Sequence, residues 1–277
     1  MGFVDRGSSF LSGNESFREI PLSLRVVREL HEILLDGVRG GSKAPGSFRK
    51  IPNWIGKAGA GIQATRFVPI EASELEAGLA QWERFIHEDA PDRLVQVAII
   101  HAEFEALHPF LDGSGRLGRI LIPLLLWQYG LIRKPMFYLS SYLEEHREDY
   151  YDRLLAVSRD GDWTGWCRFF LEAVRDQAQE NFEKAQAILQ LHEAYKPLVI
   201  EWTRSQFATA GLEQLFHRPI FKSTDFIDAA EIPAPTARRL LRSFEEKGLI
   251  RKVRPARGQN AAMFSFPELM KIVDGNR

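Results

Sequence analysis

Residues 92–130 read DRLVQVAIIHAEFEALHPFLDGSGRLGRILIPLLLWQYG, and the fold turns on how this stretch is parsed. Leu94, Val97, Ala98, His101 and Phe104 recur at helical spacing, which predicts a helix from about Asp92 with an apolar side. That helix runs into His108-Pro109, where proline disfavours helical backbone in the residue before it. Gly113-Ser114-Gly115 reads as a turn. Arg116 to Tyr129 is strongly apolar, as befits a helix central to the core, and Gly130 is its stop. The stretch is therefore two helices joined by a short polar loop, and it belongs to a mainly α-helical domain.

Towards the N-terminus, Leu75, Leu79, Trp82, Phe85 and Ile86 mark a helix that ends near Asp89-Ala90-Pro91. Leu24, Val27, His31, Leu34 and Val38 mark another, with Pro21 in its first turn. Between them, residues 39–61 hold six glycines and two prolines around Phe48-Arg49 and Asn53-Trp54-Ile55. Loops of that length in compact domains are usually functional or disordered. Ile62 to Val68 reads as one or two short strands, a small β-hairpin flap. Residues 1–19 are a weakly patterned, flexible lead-in. Beyond Gly130, two or three helices are expected between Tyr142 and Leu191, with Gly161 as a break.

From about Tyr195 the character changes. A helical connector, residues 193–217, leads into a segment 218–277 of different plan. Thr224–Ala230 and Thr236–Lys247 flank a Pro-Ala-Pro turn at Pro233 and Pro235. The second of these helices is amphipathic, with Ala237, Leu240, Leu241 and Phe244 inward and Arg238, Arg239 and Arg242 outward. Leu249–Val253 and Ala262–Phe266 read as paired strands. Helix, turn, helix and a two-stranded wing is a winged helix-turn-helix plan, whose second helix would read a DNA groove. From Arg218 onward there are 12 Lys+Arg against 7 Asp+Glu, and before it 24 against 30, so a basic module follows an acidic body. That balance is compatible with nucleic-acid contact.

The bulk composition excludes several classes. With 45% hydrophobic and 26% charged residues the chain is that of a water-soluble globular protein. Its single cysteine, Cys167, forms neither an internal disulfide nor a thiolate metal cage, which points to a cytoplasmic setting. No apolar run approaches a membrane span. Met1-Gly2 is not followed by Ser or Thr at position 6, so N-myristoylation is not expected.

The loop holds the chemistry. His108 can act as a general base, Asp112 can hold a hard cation, and Gly113 to Gly115 present backbone amides where a helix begins. Arg116 and Arg119, three apart, share a helix face. A base, a cation ligand, amide donors and guanidinium groups are what phosphoryl or nucleotidyl transfer needs. Each alone has a plainer reading: an interior histidine, an ordinary turn, a solvated helix face. The joint spacing favours a nucleotide site.

His108, Pro109, Phe110, Asp112, Gly113, Gly115, Arg116 and Arg119 resemble the signature of the Fic family, His-Pro-Phe-x-(Asp/Glu)-Gly-Asn-Gly-Arg-x-x-Arg. Pro45-Gly46-Ser47-Phe48-Arg49, Asn53-Trp54-Ile55-Gly56, Phe67-Val68-Pro69, Tyr138-Leu139-Ser140 and Tyr150-Tyr151 look like flanking segments of bacterial Fic proteins. The similarity covers roughly residues 20–190, a domain taken here as 20–192. The resemblance implies transfer of AMP from ATP, with Mg²⁺, to a Ser, Thr or Tyr hydroxyl of a target protein. His108 would be the base. Gly113, Ser114, Gly115, Arg116, Arg119 and Tyr151 would meet the nucleotide, with Asp112 on the metal. The flap, Ile62, Ala64, Arg66 and Phe67, would dock the target by strand addition. An acidic residue at position 112 argues against the relatives that became kinases.

Two departures stand out. Ser114 replaces Asn between two glycines, where a left-handed conformation would suit Asn better. Serine is also shorter, and loss of one phosphate donor costs about 10²–10³ in rate if nothing replaces it. The inhibitory pattern Ser/Thr-x-x-x-Glu-Gly/Asn is absent: Ser140/Glu144, Ser141/Glu145 and Thr209/Glu213 lack the final Gly or Asn. The expectation is a truncated form or a member regulated elsewhere. The competing reading is a DNA-binding regulator whose weak or inactive Fic site senses nucleotide. The target protein and the oligomeric state, a homodimer included, stay open.

Overall fold

The computed structural model describes residues 21–36, 43–56, 65–229, 232–257 and 261–274. The lead-in expected at 1–19 and Val38 lie outside them. Contacts cluster into two compact units, one ending at Ala178 and the other starting at Gln179.

The first unit is built on helices. α1 (Leu24–Leu35) starts where Ser23 accepts the Val26 N–H, and it buries Val26, Val27, Leu30, His31 and Leu35. Two short strands follow, β1 (Ile55–Gly56) and β2 (Thr65–Phe67), paired antiparallel. α2 (Leu75–His87) turns Leu75, Leu79, Trp82 and Ile86 inward. α3 (Arg93–Leu107) begins at Asp92, whose carboxylate accepts the N–H groups of Leu94 and Val95. This is an ordinary N-cap, worth about 1 kcal/mol.

α4 (Ser114–Gln128) packs beside α3 at the centre of this core. Leu117 and Leu121 to Trp127 are all buried, and no broad face of the helix is left to solvent. Pro123 sits within it, so the carbonyl of Arg119 gains no intrahelical partner there. Trp82 and Trp166 each donate an indole N–H to α3, to Ile100 O and Ala98 O, at 2.9 and 2.8 Å. α5 (Ser140–Glu145), α6 (Arg147–Asp160) and α7 (Trp163–Thr203) complete the helices that begin in this unit. Gly161 is the left-handed residue that ends α6, as its placement in the sequence predicts.

α7 is one continuous helix of 41 residues. The division between units falls inside it, at 178/179, whereas the sequence reading divides at 192/193. The stretch read as a connector is the end of α7 and α8 (Ala208–His217), which buries Ala208, Gly211, Leu212 and Leu215. β3 (Ile220–Lys222), not expected from the sequence, follows and leads into α9 (Ser223–Ala229). α10 (Ala234–Glu246) begins inside the Pro-Ala-Pro segment, with Pro235 in its first turn, where a missing N–H costs nothing. β4 (Arg251–Arg254), β5 (Met263–Ser265) and α11 (Pro267–Asp274) close the chain, and the sheet order is β3-β5-β4. Among the described residues no helix is long and apolar enough to cross a membrane.

Candidate active site

The loop between α3 and α4 begins with a backbone reversal at His108. Its N–H closes α3 on Phe104 O at 3.0 Å, and its φ of 42° is left-handed. A non-glycine residue there is uncommon, and surrounding structure must hold it. Arg49 does so. It is 3% exposed, and its Nε donates to His108 O at 3.0 Å. Its terminal nitrogens reach Leu107 O at 3.3 Å, Ile51 O at 3.4 Å and Ile70 O. Its backbone N–H takes Pro109 O at 2.8 Å. Asn53 adds bonds to Phe110 O at 3.1 Å and His108 O at 3.4 Å. Three consecutive carbonyls, 108 to 110, are thus anchored by two side chains and one amide.

His31 fixes the other half of the loop from α1. Its Nδ1 accepts the Gly46 N–H at 2.9 Å, so the proton sits on Nε2, which donates to Asp112 O at 2.8 Å. Its ring stacks on Phe110 at 3.7 Å and 9°. Burial lowers its pKa, keeping the ring neutral and this bonding pattern intact. Phe110, fully buried, also meets Phe48 at 5.2 Å. Gly113 is the left-handed residue, with φ 87°, and a Cβ there would lie 3.4 Å from His31 Nε2.

The left-handed conformation anticipated for Ser114 therefore belongs to Gly113. Ser114 is the first helical residue of α4 and has no exposed surface. Its hydroxyl accepts the Phe110 N–H at 3.1 Å and faces Phe110 O at 3.3 Å, so it braces the loop. Gly115 begins α4 beside it. Helical geometry leaves the N–H groups of this first turn without intrahelical acceptors.

What the loop presents outward is charged. The Asp112 carboxylate, 42% exposed, lies 3.3 Å from Arg116, 33% exposed. Among the described residues no three His, Cys, Asp or Glu side chains cluster as a metal cage. A single half-exposed carboxylate fits Mg²⁺ bound largely through phosphate and water, and fits no cation that needs an all-protein cage. His108 is mostly enclosed, with its Nδ1 buried, and burial, reinforced by Arg49 and only partly offset by the Glu105 backbone carbonyl, lowers its pKa to about 4. The ring is neutral at pH 7.

Arg119, half-buried on α4, sits near Glu105 and His101 and affects the titration of both. Glu105, in the last turn of α3, is 7% exposed and its Oε1 has no hydrogen-bond partner. Burial pushes its pKa up to about 7 despite Arg119. It lines an apolar cavity of about 170 Å³ with Ile55, Phe67, Ala102, Tyr151 and Trp163. Tyr151 and Phe67 are the predicted site residues found there. Tyr150 instead is core, donating or accepting one bond with His101 Nε2 at 3.0 Å.

Of the flap, Ile62 and Ala64 lie outside the described residues, and Arg66 is placed only by its backbone in β2. Arg238, Arg239 and Arg242 are exposed on α10, opposite the buried Ala237, Leu240, Leu241 and Phe244. His31, Glu105 and the clamping roles of Arg49 and Asn53 were not foreseen as site features. Arg49 and Asn53 stood in a loop whose length was the signal. His31 looked like one more core position, and nothing in the sequence singles out Glu105.

Residues 21–126 match the model of the Fic/DOC family. The protein adenylyltransferase Fic of Drosophila melanogaster is 24% identical over 161 residues, 56% of this chain and 28% of its own length. A probable protein adenylyltransferase of Aquifex aeolicus (strain VF5) is 34% identical over 80 residues, 29% of this chain and 24% of its own. The chain thus spans less than a third of these curated relatives. The crystal structure of a Fic family protein from Desulfovibrio desulfuricans G20 superposes with a TM-score of 0.54 at 19% identity, covering 95% of this chain and 80% of that one. A Fic domain containing signaling protein from Bacteroides thetaiotaomicron gives 0.50 at 18% identity, over 63% and 67%. Those likenesses bear on the fold alone. The family match falls on the elements that hold the His108 loop, so it is residues 21–126 of this chain that are similar to the Fic/DOC family.

Proposed function

We propose that this chain is a protein adenylyltransferase that moves AMP from ATP to a Ser, Thr or Tyr hydroxyl of a target protein. The observation that carries the reading is the clamped loop, which holds a mostly enclosed His108 at its start and a half-exposed Asp112, paired with Arg116, at the first turn of α4. The names of the relatives agree with it.

In this mechanism the triphosphate lies against the first turn of α4, where unpaired N–H groups and the helix dipole favour anions. The neutral His108, with Nδ1 sealed, offers Nε2 to the target hydroxyl. As the hydroxyl oxygen bonds to the α-phosphorus, its proton passes to His108 and the bond to the β-phosphate oxygen breaks. Pyrophosphate departs, its charge met by Arg116 and Arg119. Asp112 would hold Mg²⁺, which when bound neutralises phosphate charge. The base of ATP occupies the cavity beside Tyr151. The flap strand β2 offers an edge to the target backbone. With ATP labelled at the α-phosphate, label should appear on protein, and His108→Ala should lower transfer by about 10²–10⁴. Label arriving only from the γ-phosphate would replace adenylyl transfer by a kinase reaction.

A second reading is favoured by the outward arginines of α10. β3, α9, α10 and the β4–β5 hairpin follow the order of a winged helix-turn-helix, with α10 as the groove reader. Salt-dependent duplex binding without covalent labelling would favour a nucleotide-sensing DNA regulator.

A further inference from the structure

We propose that α7 pairs antiparallel with α7 of a second copy of this chain, through a seam of side chains running from Arg175 to Glu193. This pairing is independent of the nucleotide reading of the first unit.

None of residues 178–198 of α7 is buried. One side of the stretch is nonetheless in use: Ile188, Leu191 and Tyr195, at helical spacing, pack on the core of the second unit. Phe182 and Leu189 lie away from that side and are 57% and 66% exposed. A single exposed apolar residue is ordinary, but these two stand a heptad apart on one line. With Ala178 and Ala185 they follow the 4-3-4 spacing of a coiled-coil seam. The helix thus has one apolar face for its own unit and a second apolar line that none of the described residues buries.

The order of residues along that line is complementary to itself. Arg175 and Glu193 are eighteen residues apart, five turns of 3.6, so they share one side of the helix and bracket the apolar four. The line reads Arg175, Ala178, Phe182, Ala185, Leu189, Glu193. About a two-fold axis between Phe182 and Ala185, Phe182 meets Ala185 of the second copy and Leu189 meets its Ala178. Arg175 then meets Glu193 of the second copy. Each contact sets large against small or positive against negative, and each is made twice, as an isologous interface requires. A parallel pair would instead set Arg175 against Arg175 and leave a gap between facing alanines. Within the chain Arg175 pairs with Asp176 at 2.7 Å and Glu193 with His192 at 3.3 Å. Both are exposed contacts between sequence neighbours, which compete weakly with a partner.

Sedimentation velocity of the full chain across the micromolar range tests this. The unmutated chain should pass from monomer to dimer as concentration rises. Phe182→Glu and Leu189→Glu should each raise the dimer dissociation constant by at least about tenfold. Their melting temperatures at concentrations where the chain is monomeric should match the unmutated chain, because both positions are exposed. Arg175→Glu should weaken the dimer, and Glu193→Arg in the same chain should restore it. Direction is read by disulfide formation in chains whose single cysteine is removed by Cys167→Ser. There Ala178→Cys should cross-link to Leu189→Cys, and neither variant to itself. A monomer at every concentration overturns the proposal, and so does a dimer indifferent to Phe182→Glu and Leu189→Glu. Self-cross-linking of Leu189→Cys overturns the antiparallel arrangement.

Discussion

The hydroxyl of Ser114 is engaged with both backbone groups of Phe110, so this side chain has no group left over for a phosphate. Removing it leaves a buried N–H without an acceptor. Ser114→Ala is expected to lower unfolding free energy by about 1–3 kcal/mol, measured by denaturant titration. Adenylyl transfer should fall with it, because the first turn of α4 loses its tether to the loop. An unchanged denaturation midpoint would show that the loop stands on Arg49, Asn53 and His31 alone. The division of labour at this scale is sharp. Asp112 and Arg116 face outward, while His31, Arg49, Asn53 and Ser114 grip the peptide groups behind them.

The contact of α3 with α4 depends on glycine at 118, where any side chain must displace Glu105 or Phe104. Gly118→Ala should destabilise the chain by about 1–3 kcal/mol through overpacking. Combined with Glu105→Ala, which removes the obstructing carboxyl, the two effects should be less than additive by about 1 kcal/mol or more in a double-mutant cycle. Additive effects would mean that the helices move apart instead. Sequence periodicity located α1 to α4 because their apolar positions recur at helical spacing and their caps, Asp92 and Gly130, are local signals. The roles of Arg49 and Asn53 were not legible: each bonds carbonyls about 55 residues away or more, and such pairing leaves no local pattern. β3 was missed for a related reason. Three residues, Ile220 to Lys222, are too short to show alternation, and pairing with β5 defines them. α7 runs on through the expected boundary because nothing between Leu191 and Tyr195 breaks a helix.

Across the whole molecule, buried titratable groups set opposing pH dependences. Burial lowers His31, His101 and His108 from 6.5, to about 3 for His101 and about 4 for His108. Below pH 6.5 the unfolded chain takes up protons that the folded chain refuses, so acidification erodes stability. Glu105 works the other way, raised from 4.5 to about 7. Between those values the folded chain keeps a proton that the unfolded chain has released, so its contribution falls as pH rises. Glu105→Gln removes that loss. Its advantage over the unmutated chain should be near zero at pH 4 and reach about 3 kcal/mol by pH 8, from about 1.4 kcal/mol per pKa unit. Denaturant titrations at the two pH values check this, and an advantage that shrinks with pH would contradict the assignment.

The left-handed turn at His108 joins the carbonyl end of one helix to the amide end of the next, so the loop spans opposite poles of two dipoles. A polyphosphate drawn to the amide pole would meet repulsion from the carbonyl pole beside it. Arg49, buried with its N–H groups on Leu107 O and His108 O, sets a full positive charge on that pole. A guanidinium held behind the loop thus offsets the repulsion that the carbonyl pole alone would exert on an anion at the amide pole.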